Sequence, residues 1–199
     1  KVKDLKEFFH IYPWGMYPKE ISDNTNILYN ELLALGTQLL CWIEENTPAE
    51  IKKSFSIPLN KMVKNSKQNL LRIIHYPPIE QNTPVDAVRA AAHEDINLIT
   101  VLCSGNDQGL PALDLNNKWH EIKSDINSIV TNSGDMLNKC SDNYYPSTIH
   151  RVVNPKNSQN NKSRYSMPLF LHARDEVVLN EQYTAKSYLD KRLKSLGLK

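Results

Sequence analysis

The apolar positions change period twice along the chain. Between residues 27 and 43, Ile27, Leu28, Leu32, Leu35, Leu39, Leu40, Trp42 and Ile43 recur mostly at i, i+3, i+4 spacing, which predicts an amphipathic helix. Asn24 or Thr25 suits its N-cap, and Thr47-Pro48 ends it. A second, shorter helical turn fits residues 48–54. From about residue 70 the texture is that of strands. Leu70–Tyr76 is a short apolar run stopped by Pro77-Pro78. Ile96–Leu102 is rich in β-branched residues and ends at Ser104-Gly105-Asn106-Asp107. Ser128–Thr131 runs into Asn132-Ser133-Gly134-Asp135, Thr148–Val153 into a polar loop over 154–163, and Met167–His172 closes the series. Helical spacing returns from Glu181 to Leu196, with Tyr183, Tyr188, Leu189, Leu193 and Leu196 on one side.

This order predicts a mainly β protein with flanking helices. A helical layer is expected over residues 1–67, a β core over 68–180 and a C-terminal helix over 181–199. Short, closely spaced strands separated by turn signals favour an antiparallel sandwich or barrel over a doubly wound sheet. The 6 glycines form no G-x-G-x-x-G loop, which removes support for dinucleotide binding. The chain's 199 residues suffice to bury a core without disulfide staples.

Composition narrows the partners. A hydrophobic content of 40% and a charged content of 23% are those of a folded domain. The formal charge of +2 is scattered and forms no basic stripe, so nucleic acid is not an expected partner. No apolar run approaches the roughly 20 residues that span a bilayer, so no membrane partner is expected either. The 3 cysteines, Cys41, Cys103 and Cys140, are far apart and form no Cys-x-x-Cys pair. They read as small buried hydrophobes of a reducing, cytoplasmic compartment. No signal-peptide stretch stands at the N-terminus, which also lacks an initiator Met. The chain is therefore expected to be processed or to be part of a longer one.

Candidate chemistry starts with His93-Glu94-Asp95. On a strand, residues i and i+2 share a face, so His93 and Asp95 can approach one metal ion together. With 6 histidines in the chain, one H-x-D arises by chance about one time in three, and alone it reads equally well as a hydrogen-bonded pair at a strand edge. Arg164-Tyr165-Ser166 is no more specific by itself. Specificity lies in the ordered set: Leu71-Arg-Ile-Ile-His-Tyr-Pro-Pro78, His93-Glu-Asp-Ile-Asn-Leu-Ile-Thr-Val-Leu102, Asn132-Ser-Gly-Asp-Met-Leu137, Ser147-Thr-Ile-His-Arg-Val-Val153 and Arg164-Tyr-Ser-Met-Pro-Leu-Phe-Leu171.

Through these five blocks, from about Leu5 to Leu196, the chain resembles the non-haem iron(II), 2-oxoglutarate-dependent dioxygenases of the isopenicillin N synthase-like group. The resemblance implies a double-stranded β-helix, or jelly-roll, core. It implies that His93, Asp95 and His150 are the catalytic iron(II) ligands, two imidazoles and a carboxylate that leave one face of the metal open. It also implies that Arg164 and Ser166 bind the distal carboxylate of 2-oxoglutarate, a fork and a hydroxyl, with Tyr76 assisting. The activity implied is oxidative decarboxylation of 2-oxoglutarate, with dioxygen, coupled to oxidation of a small organic molecule. One position departs from the family pattern: Ile74 stands where many relatives carry Asn, removing one polar contact. Two other readings stay open, an isopenicillin N synthase-like oxidase that does not use 2-oxoglutarate, and a truncated jelly-roll that binds metal without turnover. His10, His75, His120 and His172 have no acidic residue at i+2. His75 and His172 are expected to be satisfied structural histidines, and His120 a surface residue of a hairpin. Trp14, Trp42 and Trp119 are expected to pack, and the Lys-rich end from Lys191 to be a solvated helix face.

Overall fold

Two antiparallel sheets carry the fold in the computed structural model, which describes all residues except 1–2, 19, 21, 105–108, 124, 126, 156–160 and 199. In the large sheet the order is β1 (Glu7–Ile11), β2 (Leu70–Tyr76), β10 (Pro168–Leu171), β4 (Ile99–Cys103) and β7 (Ile129–Ser133). β9 (Arg164–Ser166) also pairs with β2 and continues into β10 in unbroken register, Ser166 opposite Ile74 and Leu169 opposite Leu71. The small sheet runs β3 (Ala90–His93), β8 (His150–Val152), β5 (Pro111–Leu113) and β6 (Trp119–Glu121). A hairpin of β11 (Val178–Asn180) and β12 (Tyr183–Thr184) leads to the last helix.

Alternation sorts the large sheet into two faces. The outer face carries Leu71, Ile99, Val101, Leu169 and Leu171 into the main core. Helix α1 (Asn24–Asn46) covers it with Leu32 and Leu40. Gly36 permits the close approach: a Cβ there would lie 2.7 Å from a Leu171 methyl. The short helices α2 (Ala49–Lys52) and α3 (Leu59–Val63) extend this layer, and Leu59, Met62 and Val63 are fully buried. The inner face looks towards the small sheet. There Ile74 and Tyr76 of β2 pack with Ala90 of β3 and Val152 of β8 as a second apolar cluster. Helix α5 (Ala185–Ser195) starts from a capping box in which Thr184 and Ser187 satisfy each other's backbone N–H. The architecture is the expected one, mainly β with a jelly-roll core and flanking helices.

Several expectations change. The stretch expected as a helical layer, residues 1–67, also holds β1, which pairs with β2 as an edge strand of the large sheet. β4 starts at Ile99 rather than residue 96, because 95–98 is a bent segment held by the start of α4 (Asp135–Cys140). Only Cys140 is buried; Cys41 is half-buried and Cys103, near the sheet edge, is exposed. Trp14 and Trp42 are exposed rather than packed in the core, and Trp119 receives the Arg151 guanidinium 4.0 Å above its ring. His120 sits on the β5–β6 hairpin as expected, bonded to Asp114. The turn cluster at 104–107 and the polar loop at 154–163 lie partly outside the described residues.

Candidate metal centre and the pocket beside it

His93 ends β3 and His150 begins β8, and the ladder sets them directly opposite each other. Their rings lie 4.4 Å apart. Asp95 follows two residues later in the bent segment, not on a strand as the sequence suggested, yet it reaches the same point. His93 Nε2 is 3.9 Å from Asp95 Oδ1, and His150 Nε2 is 3.9 Å from Asp95 Oδ2. All ligand atoms of the three lie within 4.8 Å of one another.

The surroundings fix which atoms face the centre. His93 Nδ1 is 2.8 Å from the Ala91 carbonyl, and His150 Nδ1 is 3.0 Å from the Thr148 carbonyl. A carbonyl only accepts, so both Nδ1 atoms carry the proton and both Nε2 lone pairs point to the shared space. Asp95 is buried. Thr100 Oγ1 donates to its Oδ2 at 2.6 Å and Asn132 Nδ2 donates to the same oxygen at 2.9 Å. Asn97 in turn holds Thr100 Oγ1 at 2.9 Å. Oδ1 accepts from no described residue. Burial raises the Asp95 pKa, but His150, the two hydrogen bonds and His93 outweigh it and hold the carboxyl below its ordinary value. Partial desolvation at the cavity mouth, then the neighbouring His150, lowers His93 from its ordinary value. Two imidazoles that present Nε2 and one carboxylate are the donor set for iron(II) with an open face. Ligand atoms sharing one metal ion sit ~3 Å apart, so separations here of up to 4.8 Å would shorten by up to about 2 Å on binding.

Arg164, Ser166 and Tyr76 lie on the inner face of the large sheet. Arg164 is paired with Tyr76 and Ser166 with Ile74. Arg164 and Tyr76 are both buried, and the guanidinium carbon is 5.8 Å from the Tyr76 ring centre. Gly109, at φ +105°, adopts a backbone conformation that favours glycine, and it lies beside Arg164 Nη1. Ile74, the departure from the family pattern, is a buried apolar side chain on this face. Sequence reasoning missed Thr100 and Asn132 as carboxylate holders. Alternation of β4 and β7 was the available signal, since Thr100 and Asn132 are partners across the ladder. It also missed Arg72, which shares the Tyr76 face of β2, and His172, expected to be satisfied. His172 is buried, and its Nδ1 has no hydrogen-bond partner among the described residues.

A cavity of about 670 Å³ opens beside the centre, reaching His93, Asp95, Arg72, His172 and the inner face of β1. No helix among the described residues is long and apolar enough to cross a membrane.

Known proteins were compared against this geometry. A structure from Shewanella oneidensis, assigned as an oxygenase, superposes with a TM-score of 0.90 at 50% identity, covering 100% of this chain and 74% of that one. The 2-oxoglutarate-dependent dioxygenase citB of Monascus ruber is 29% identical over 134 residues, 66% of this chain and 40% of its own length. Isopenicillin N synthase of Penicillium rubens is 27% identical over 170 residues, 84% of this chain and 45% of its own. The chain thus spans less than half the length of these two relatives. Residues 67–173, over half the chain and containing all three candidate ligands, match the sequence profile of the 2OG-Fe(II) oxygenase superfamily, and the chain belongs to that family.

Proposed function

We propose that this chain is an iron(II)-dependent oxygenase that uses dioxygen and 2-oxoglutarate to oxidise a small organic molecule. The observation that carries the reading is the convergence of His93, Asp95 and His150, with both imidazole tautomers fixed and one carboxylate oxygen left over. Those three residues would hold the metal, which supplies the dioxygen-activating centre for oxidative decarboxylation of the co-substrate. The rest is positioning by the chain itself. Thr100 and Asn132 keep Asp95 ionised and aimed. Arg164 supplies a buried guanidinium, Ser166 and Tyr76 two hydroxyls, for the far carboxylate of the dicarboxylic acid. The apolar cluster of Ile74, Tyr76, Ala90 and Val152 keeps water from that end of the barrel.

A second reading follows from Ile74 and from the likeness to isopenicillin N synthase: an oxidase in which Arg164 and Ser166 hold the carboxylate of the substrate itself. One assay separates the two. The full chain is incubated in air with iron(II), ascorbate and 2-oxoglutarate, and succinate is followed, with His150→Ala as the control. Succinate above background that disappears in the variant is expected. Background succinate from metal-loaded protein, with oxygen still consumed when candidate substrates are added, would select the oxidase. No oxygen uptake under any condition would leave a metal-binding jelly-roll without turnover.

A further inference from the structure

The cavity beside the metal centre holds a cation whose geometry is narrowly specified. Arg72 stands on the inner face of β2, with Phe8 of β1 on one side and Phe170 of β10 on the other. Its guanidinium carbon is 4.9 Å from one ring centre and 4.8 Å from the other. Its Nε donates to His10 Nε2 at 2.8 Å. His10 is stacked on Phe8 at 4.9 Å and meets the edge of Tyr12 at 5.9 Å, so it is held in place. Both faces of the guanidinium are therefore spoken for by aromatic rings, and one edge by a histidine. What remains is the outer fork of two Nη groups. Among the described residues, no carboxylate or carbonyl accepts from that fork.

A largely buried guanidinium with no paired anion is costly. The carboxylates on the cavity wall do not relieve it by contact: Asp4 pairs with Lys6 at 2.9 Å, Asp95 is held by Thr100 and Asn132, and Glu94 makes no ion pair with Arg72 among the described residues. Two side observations point to a ligand at the same place. His172 lines this cavity and is over nine-tenths buried, and its Nδ1, closed off from solvent, has no hydrogen-bond partner among the described residues. On β1 and just past its end, Phe8, His10 and Tyr12 line the cavity with three rings in alternate positions, while Leu189 and Leu193 of α5 close the other side. A two-pronged planar donor favours a planar two-oxygen acceptor, and an aromatic wall favours a flat apolar body.

We infer that this cavity is the substrate site, and that the substrate class is a small aromatic carboxylate seated with its carboxylate on the Arg72 fork and its ring in the space between β1 and Leu189 and Leu193 of α5. Arg72 is then the specificity-determining residue, and His10 a positioning residue that fixes its orientation. The inference rests on the oxygenase reading for the meaning of "substrate", but its binding content is separate and is tested separately.

The test uses benzoate as the probe, with benzamide (flat but neutral) and cyclohexanecarboxylate (anionic but not flat) as comparisons. Each is titrated calorimetrically into the full chain loaded with manganese(II) and saturated with 2-oxoglutarate, so that Arg164 is engaged. Benzoate is expected to bind at least tenfold tighter than either comparison. Arg72→Gln should remove that preference, and Arg72→Lys, which keeps charge but not the fork, should lose most of it. Manganese affinity, measured on the same variants, should stay within about twofold and reports whether they fold. Benzamide binding as tightly as benzoate, or benzoate binding unchanged in folded Arg72→Gln, overturns the inference. If Arg72→Gln does not fold, the ligand comparison on the unsubstituted chain and the Arg72→Lys result decide. Loss of manganese or succinate signals with Arg72-dependent benzoate binding intact would sink the oxygenase reading and leave this one standing.

Discussion

Single side chains in the centre differ in what they hold, and substitution should separate them. Thr100 touches no metal position; it presents Asp95 by one hydrogen bond of 2.6 Å and is itself oriented by Asn97. Thr100→Val keeps shape and removes the donor. Outer hydrogen bonds of this kind are worth about 10–100-fold in metal affinity. Thr100→Val is therefore expected to weaken manganese(II) binding by about that factor, while Asp95→Ala abolishes it. Equal affinity in Thr100→Val and the unsubstituted chain would show that Asn132 alone suffices. Under the proposed function, Arg164 belongs to the co-substrate half of the site. Arg164→Ala should weaken 2-oxoglutarate binding by well over tenfold and leave manganese binding nearly unchanged, because it removes a charged fork and leaves ligand charge unpaired. Parallel loss of both would mean that Arg164 holds the two sheets together instead.

At the scale of elements, the centre depends on how α4 grips the bent segment between β3 and β4. Asp135 N–H donates to the Asp95 carbonyl at 2.8 Å, Gly134 N–H to Leu98 at 2.9 Å and Met136 N–H to Asn97 at 3.0 Å. Gly134 lies flat against this segment: a Cβ there would sit 2.9 Å from the Asp95 carbonyl oxygen and closer still to that of Asn97. These are backbone atoms that cannot swing aside. Gly134→Ala should cost about 1–3 kcal/mol, lowering the melting temperature by roughly 2–12 °C, and should weaken metal binding because the displaced segment carries Asp95. A melting temperature and manganese affinity both unaltered would refute this grip. The same segment explains what the sequence could and could not tell. β2 was legible to the residue, since a short apolar run stops at two prolines. Helix α1 was legible because its apolar stripe covers one sheet. β3 was not: Ala90-Ala-Ala has no size contrast from which to read a face. β5 and β6 are three residues each, too short for a period to register. The three candidate ligands were legible as an ordered motif set, whereas Thr100 and Asn132 became visible only once the register of β4 against β7 was known.

For the whole molecule, the buried histidines make stability depend on pH in a definite direction. Burial, opposed by Asp95 and aided by Arg72, pushes His172 from 6.5 to about 4. Burial and the Arg72 charge push His10 to about 4 as well. Above pH ~6.5 both are neutral whether the chain is folded or not, and they contribute no pH dependence. As the pH falls below that, the unfolded chain takes up protons that the folded one refuses, so stability is lost progressively until about pH 4, where the folded groups protonate too. For fully enclosed His172 the change from 6.5 to about 4 corresponds to an order of ~3 kcal/mol. His10 adds in the same direction but is half open to solvent, and His93, also lowered, pulls the same way. Urea midpoints of the metal-free chain at pH 8, 6 and 4.5 should therefore fall steadily, with most of the fall below pH 6. His172→Phe fills the same space with a ring that cannot titrate, so its midpoint should fall less over the same range. A midpoint constant from pH 8 to 4.5 would mean that these histidines are protonated in the folded protein. An unchanged slope in His172→Phe would move the acid sensitivity from the cavity floor to the other two histidines.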